Sequence, residues 1–188
     1  MADKGTTNDL APVAQVSDAE AAAFKLDTHL VKLMWDEPFF SHVLRSVSKI
    51  RTESIPTAGV LAKDGDVKMW WNPKFLAGLT PKQVKGLLKH ECYHLIFEHV
   101  TSRKPEGVPH KAWNIAADLA INSHLQGELP EMACMPGVGP FEDLPLHQTA
   151  EWYLANLPKK DEGEGGGEGS GEGGDGEGEE PGSFDDHS

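Results

Sequence analysis

Apolar positions along the chain fall into blocks whose spacing changes from helical to strand-like and back. Ser17-Asp18-Ala19-Glu20 has the reciprocal form of a capping box. The helix it opens is expected to run through Leu30, Val31 and Leu33 and to stop before Pro38, which disfavours helix at Glu37. A second amphipathic segment spans Phe39 to Val47. Two strand-like runs follow, Thr57-Ala-Gly-Val-Leu-Ala and Val67-Lys-Met-Trp-Trp, separated by Lys63-Asp64-Gly65-Asp66. Asp-Gly between such runs predicts an antiparallel hairpin, and Asn72-Pro73 ends it.

Helical spacing then returns. Thr80-Pro81-Lys82-Gln83 combines a threonine cap, a proline at the first helical position and a glutamine that closes the box. Val84, Leu87, Leu88 and Leu95 recur on one face, and this helix is expected to fade by about Val100. Lys104-Pro105-Glu106-Gly107 reads as a loop, and a further helix runs from His110 to about Leu125. Residues 126–146 are rich in Pro and Gly and read as irregular, before a short helix near Thr149 to Leu157. The expected fold is α+β: a small antiparallel sheet of 57–62 and 67–71 packed on the helix of residues 81–100 and on that of 110–125.

Charge divides the chain. Its 188 residues carry a formal charge of −13, yet residues 161–188 hold 11 of the 30 acidic residues and none of the 17 Lys and Arg, so residues 1–160 carry 17 − 19 = −2. The Gly and Glu of that tail cannot bury enough apolar surface to offset ordering entropy, and it is expected to be a disordered acidic tail or linker. Its end, Pro181-Gly-Ser-Phe-Asp-Asp-His-Ser, is not low-complexity and suggests a natural chain that continues further. Residues 1–16 read as a flexible arm, leaving 17–160 as the single folded domain. No dense basic surface favours nucleic acid, no apolar run approaches bilayer length, and the N-terminus lacks the apolar core of a signal peptide. Cys92 and Cys134 form no disulfide framework, so a reducing, cytoplasmic setting is expected.

The chemistry concentrates at His90-Glu91-Cys92-Tyr93-His94. H-E-x-x-H on a helix sets two imidazoles one turn apart on one face, where both reach one metal ion. Glu91 then points about a quarter-turn away and can act as general base toward a metal-activated water. With 9 His and 17 Glu in the chain, chance alone yields the five-residue pattern about 4% of the time, so context has to support it. Context exists: the motif lies mid-helix, at the edge of the apolar stripe. A catalytic zinc takes three protein ligands. His99 is near but fits the metzincin spacing poorly, because Phe97 and Val100 stand where glycine and histidine are needed. Asp118 is the better candidate, since its helix, Trp113-Asn-Ile-Ala-Ala-Asp-Leu-Ala-Ile-Asn, is otherwise mostly apolar and a buried carboxylate there wants a cation. Asn122, one turn on, could hold a liganding imidazole by its second nitrogen. Asp118-x-x-x-Asn122 mirrors the E-x-x-x-D third-ligand helix of the thermolysin-like group, each acid shortened or neutralised.

Blander readings stand beside these. The histidines could be helix residues without metal, Glu91 a carboxylate beside a purely structural ion, and Asp118 an aspartate held by backbone donors. His99, His110 and His124 read as surface or core histidines, Arg103 as a helix-end cation rather than an oxyanion partner, and Cys92 as a small buried hydrophobe.

From about Pro38 to Tyr153 the chain resembles the "putative metallopeptidase domain" of bacterial and phage proteins that often precedes a von Willebrand factor A-like domain. The resemblance rests on Pro38-Phe-Phe, Thr57-Ala-Gly-Val, Asn72-Pro-Lys-Phe-Leu, Leu88-Lys-His-Glu-Cys-Tyr-His and Trp113-Asn-Ile-Ala-Ala-Asp-Leu-Ala-Ile-Asn. It implies a minimal zincin-like domain with a zinc site, a peptide or protein substrate, and by analogy an AAA-type ATPase or a von Willebrand factor A-like domain as partner. The leading function is zinc-dependent peptide-bond hydrolysis, with His90, His94 and Asp118 on the metal and Glu91 as general base. The alternative is a non-catalytic adaptor that uses the same zinc as a structural clamp and acts through its tail or a partner.

Overall fold

The structure, a computed structural model, describes residues 16–63 and 65–158. The arm expected over 1–16 falls outside these except for its last residue, and the acidic tail of 161–188 falls outside altogether.

Ser17 caps α1 (Asp18–Ala23) through the reciprocal bonds with Glu20 that its sequence announces. The expected single helix is broken, however, because Phe24 and Lys25 are extended and α2 (Leu26–Asp36) starts afresh. The break lets Phe24 stack on His29 and lean on Trp71 while Ala21, Leu26 and Leu33 all remain buried. Pro38 occupies the first turn of α3 (Pro38–Arg45).

The hairpin forms as expected from β2 (Ala58–Lys63) and β3 (Asp66–Trp71), with Val60 opposite Met69 and Ala58 opposite Trp71. A further strand, β1 (Ser48–Arg51), pairs in parallel with β3, so the sheet is mixed rather than antiparallel, in the order β1-β3-β2. Ser-Lys-Ile-Arg has one apolar side chain and a mostly exposed face, so no alternation marks it. Its strand character comes from backbone pairing with β3. Asn72 ends β3 and also caps a short α4 (Pro73–Ala77), accepting from the N–H groups of Lys74 and Phe75.

Thr80 and Gln83 exchange the predicted capping bonds at the start of α5 (Pro81–Ile96). That helix ends four residues earlier than its apolar spacing suggested, at a turn containing Glu98 with φ of 58°. α6 (His110–Asn122) and α7 (Ala150–Asn156) complete the chain. One apolar cluster joins α2, α3, the sheet and α5; a second joins α6 and α7. The sheet therefore packs on the motif helix, whereas α6 packs principally on α7. Ser123 and Tyr153 seal that second pair, their hydroxyls 3.1 Å apart and the tyrosine donating to the carbonyl of Pro145.

Gly86 sets how closely α5 approaches the segment after α6. A Cβ there would stand 2.2 Å from the carbonyl oxygen of Glu128 and 2.7 Å from its carbon. Gly86→Ala gains about 1 kcal/mol of helix propensity, but a backbone contact that short forces the two segments apart. Net destabilisation of about 1–3 kcal/mol is expected, as for other overpacked interiors. Urea denaturation read by far-UV circular dichroism measures it; a variant as stable as the parent would mean that the two segments part at no cost.

Candidate metal centre

Nearly every side chain on the inner faces of α5 and α6 is buried, polar ones included. His90, Glu91, Asp118 and Asn122 are fully enclosed and His94 is 1% exposed. The one-turn spacing of His90 and His94 on α5 brings their Nε2 atoms within 3.0 Å of each other. From α6, Asp118 Oδ1 lies 3.6 Å from His90 Nε2 and 3.2 Å from His94 Nε2. These three atoms, two nitrogens and one carboxylate oxygen, form a group able to hold a metal ion, and no further His, Cys, Asp or Glu among the described residues completes it.

Whether an ion fits can be judged from the edges of that triangle. Ligands about 2.0–2.1 Å from a tetrahedral centre stand about 3.3 Å from one another. The observed edges of 3.0, 3.2 and 3.6 Å bracket that value. Proton placement agrees. Asn122 Nδ2 donates to the carbonyl of Cys134 at 2.7 Å, which turns its Oδ1 toward His90 Nδ1, 2.8 Å away. His90 Nδ1 is thereby the donor, and its Nε2 presents a lone pair to the other two ligand atoms.

Flanking residues hold the two helices at this separation. Lys89, one position before His90 and about 100° round the helix from it, bonds Glu37 and Glu128 at 3.0–3.2 Å. Burial works against its charge, but the two carboxylates outweigh burial and raise its pKa above the ordinary lysine value. Burial, with the Glu91 carboxylate adding to it, pushes the Cys92 thiol up. Cys92 stays a thiol and packs as the small buried side chain its position suggested. Arg103 is not at the metal group: it binds both oxygens of Glu151, at 2.7 and 2.9 Å, and ties the turn after α5 to α7.

His99, read from sequence as a surface or core histidine, takes the core position. It lies outside the ligand group but only 4% exposed, its ring edge-on to those of His94 and Trp113 at 5.5 and 5.7 Å. The left-handed Glu98 turns the chain back, so that His99 N–H meets the carbonyl of His94 at 3.0 Å. Trp113 Nε1–H then donates to the carbonyl of His99 at 2.9 Å. A cleft of about 110 Å³ opens here, and Leu61 of β2, His94, His99, Lys104 and His110 are among its walls. His110 carried no sequence signal for this site, because 16 residues of chain separate it from His94.

No helix among the described residues is long and apolar enough to cross a membrane. No solved structure matches the chain. An uncharacterized protein of Thermotoga maritima is 27% identical over 105 residues, covering 55% of this chain and 25% of that protein. Residues 22–185 match the family described as "putative metallopeptidase domain", which extends the likeness from the described fold into the acidic segment. With most of its length matched and a buried His-His-Asp group at its centre, the chain belongs to that putative metallopeptidase domain family.

Proposed function

We propose that the protein is a zinc-dependent peptidase in which His90, His94 and Asp118 hold the ion and Glu91 handles the proton. The observation that carries the reading is the triangle of two imidazole nitrogens and one carboxylate oxygen, buried and spaced like three corners of a tetrahedral site. Two nitrogens with one oxygen suit zinc, whereas magnesium and calcium favour all-oxygen sites. When bound, zinc supplies Lewis acidity that brings the pKa of water toward neutrality and polarises a scissile carbonyl.

The remaining work falls to the chain. Glu91, adjacent to His90 and fully buried, is the carboxylate positioned to take the proton of the attacking water and return it to the leaving amine. Asn122 keeps His90 in the tautomer that ligation requires. β2 is an edge strand beside the cleft that His94 lines, and its open edge can hold an extended peptide by strand addition. That no fourth side chain among the described residues joins the ligand group favours an open catalytic position over the closed site of an adaptor. The unbridged cysteines fit a cytoplasmic setting, and an AAA-type ATPase or von Willebrand factor A-like partner rests on family analogy alone.

Protein never exposed to nickel resin should carry about one equivalent of zinc by metal analysis. A stoichiometry near zero, with His90→Ala no less stable than the parent, would remove the metal from the account.

Three variants separate the roles. Glu91→Gln should lose hydrolysis of a denatured-protein substrate and keep its zinc, whereas Asp118→Ala should lose both. Asn122→Ala should fall between, with metal affinity or activity down on the order of 10- to 100-fold. Equal turnover by parent and Glu91→Gln would hand the site to the adaptor reading. Retained zinc in Asp118→Ala would mean that another side chain is the third ligand.

A further inference from the structure

We propose that the groove running from His94 along β2 selects extended peptides that carry acidic side chains. The proposal rests on the peptidase reading and concerns which substrate the groove accepts. Two clefts share Leu61: the one beside His94, and a second of about 150 Å³ lined by Leu61, Lys63, Asp66, Lys68 and Trp70. Strand register explains the sharing. Leu61 is opposite Lys68, Lys63 opposite Asp66, and Gly59 opposite Trp70. Alternate residues of a strand share a face, so Leu61, Lys63, Lys68 and Trp70 form one continuous surface leading away from His94.

The charge of that surface reverses the balance of the chain. Its lysines are Lys63, Lys68 and Lys104, and the one carboxylate among its described walls is that of Asp66. The whole chain is at −13 and residues 1–160 at −2. Lys74, Lys85, Lys89 and Arg103 are each tied to carboxylates. Lys63, Lys68 and Lys104, by contrast, have no ion pair among the described residues.

Among the described residues β2 has a neighbouring strand on one side only, so its other edge is available to an extended segment. Such a segment presents alternate side chains to the same face every 6–7 Å or so. Carboxylates at alternate positions would meet Lys63 on β2, with Lys68 of β3 and Lys104 of the loop after α5 on either side of Leu61, while the backbone runs past His94. The occupant is a glutamate-rich stretch of a protein substrate, and this chain's own residues 161–188, with 11 acids and no Lys or Arg, are the competitor that the test distinguishes.

The test uses the full chain carrying Glu91→Gln, loaded with zinc so that peptide is held and not consumed. Fluorescent peptides of equal length and identical apolar residues carry Glu, Gln or Lys at alternate positions, and binding is read by anisotropy. The Glu peptide should bind on the order of tenfold more tightly than the Gln peptide, the sum of a few exposed ion pairs, and the margin should shrink as salt rises. Lys63→Gln with Lys68→Gln, and separately Lys104→Gln on its loop, should each reduce the preference while thermal melts stay unchanged.

Replacing the acids of 162–180 by their amides distinguishes the sources. Tighter binding of the Glu peptide to that variant identifies the chain's own tail as a competing occupant, and equal binding leaves the groove to other proteins. Equal affinity for all three peptides, or a preference that survives the lysine substitutions, overturns the proposal. Hydrolysis of the three peptides by the parent chain without acidic preference overturns this inference alone. Acidic preference in a protein that hydrolyses nothing overturns the peptidase reading and leaves this one standing.

Discussion

Everything near the candidate site depends on one arrangement: α5 and α6 face each other across a seam that is polar and yet buried, with His94 at the edge of a cleft. An aspartate, an asparagine, a glutamate and two histidines occupy positions that a helix pair normally fills with leucine and alanine. Burying ionisable groups is costly unless each meets a partner, and a cation shared by several donors is an efficient way to offset that cost. The seam also lies where the two apolar clusters of the molecule meet, so its geometry is not free to relax. Gly86 against Glu128, Lys89 between two carboxylates, and Trp113 on the carbonyl of His99 all fix the distance between those helices.

Chemistry and substrate access are supplied by different parts of the fold. The ligand atoms come from two helices, where rotamers are restricted and spacing is set by the helical period. To the cleft walls that α5 and α6 provide, an edge strand and the turn after α5 add the outer ones. That turn is held by the left-handed Glu98, by the bond between Trp113 and His99, and by the pairing of Arg103 with Glu151. A rigid centre beside a wall built from a strand edge and a turn suits a site whose chemistry is constant and whose specificity is set at its margin.

The zinc-peptidase reading and the acidic-groove inference draw on separate observations. The first uses three ligand distances and the tautomer of His90; the second uses strand register and the sign of a few exposed side chains. The T. maritima relative aligns over only a quarter of its length. What the complete protein acts on or assembles with is therefore a question for this chain's own groove and acidic segment.

Local signals were legible in the sequence wherever the cause was itself local. Capping boxes at Ser17 and Thr80, the hairpin pairing of β2 with β3 and the one-turn spacing of His90 and His94 each depend on residues within a few positions of one another. Asp118 and Asn122 were legible for a different reason: polar residues inside an apolar helix have to be explained by a partner, even before the partner is known. Nothing local marked β1, whose pairing comes from a strand 20 residues ahead, as Ser48 opposite Lys68 shows. Nor could sequence have returned His99 to His94 or removed Arg103 to Glu151. Those positions follow from how segments far apart in the chain share one volume, and no short window of sequence encodes which of them will meet. The sequence alone determined which residues could bind metal and on which helices they lie; the tertiary structure decided that their ligand atoms converge, because only packing α6 against α5 closes the distance between Asp118 and the two histidines.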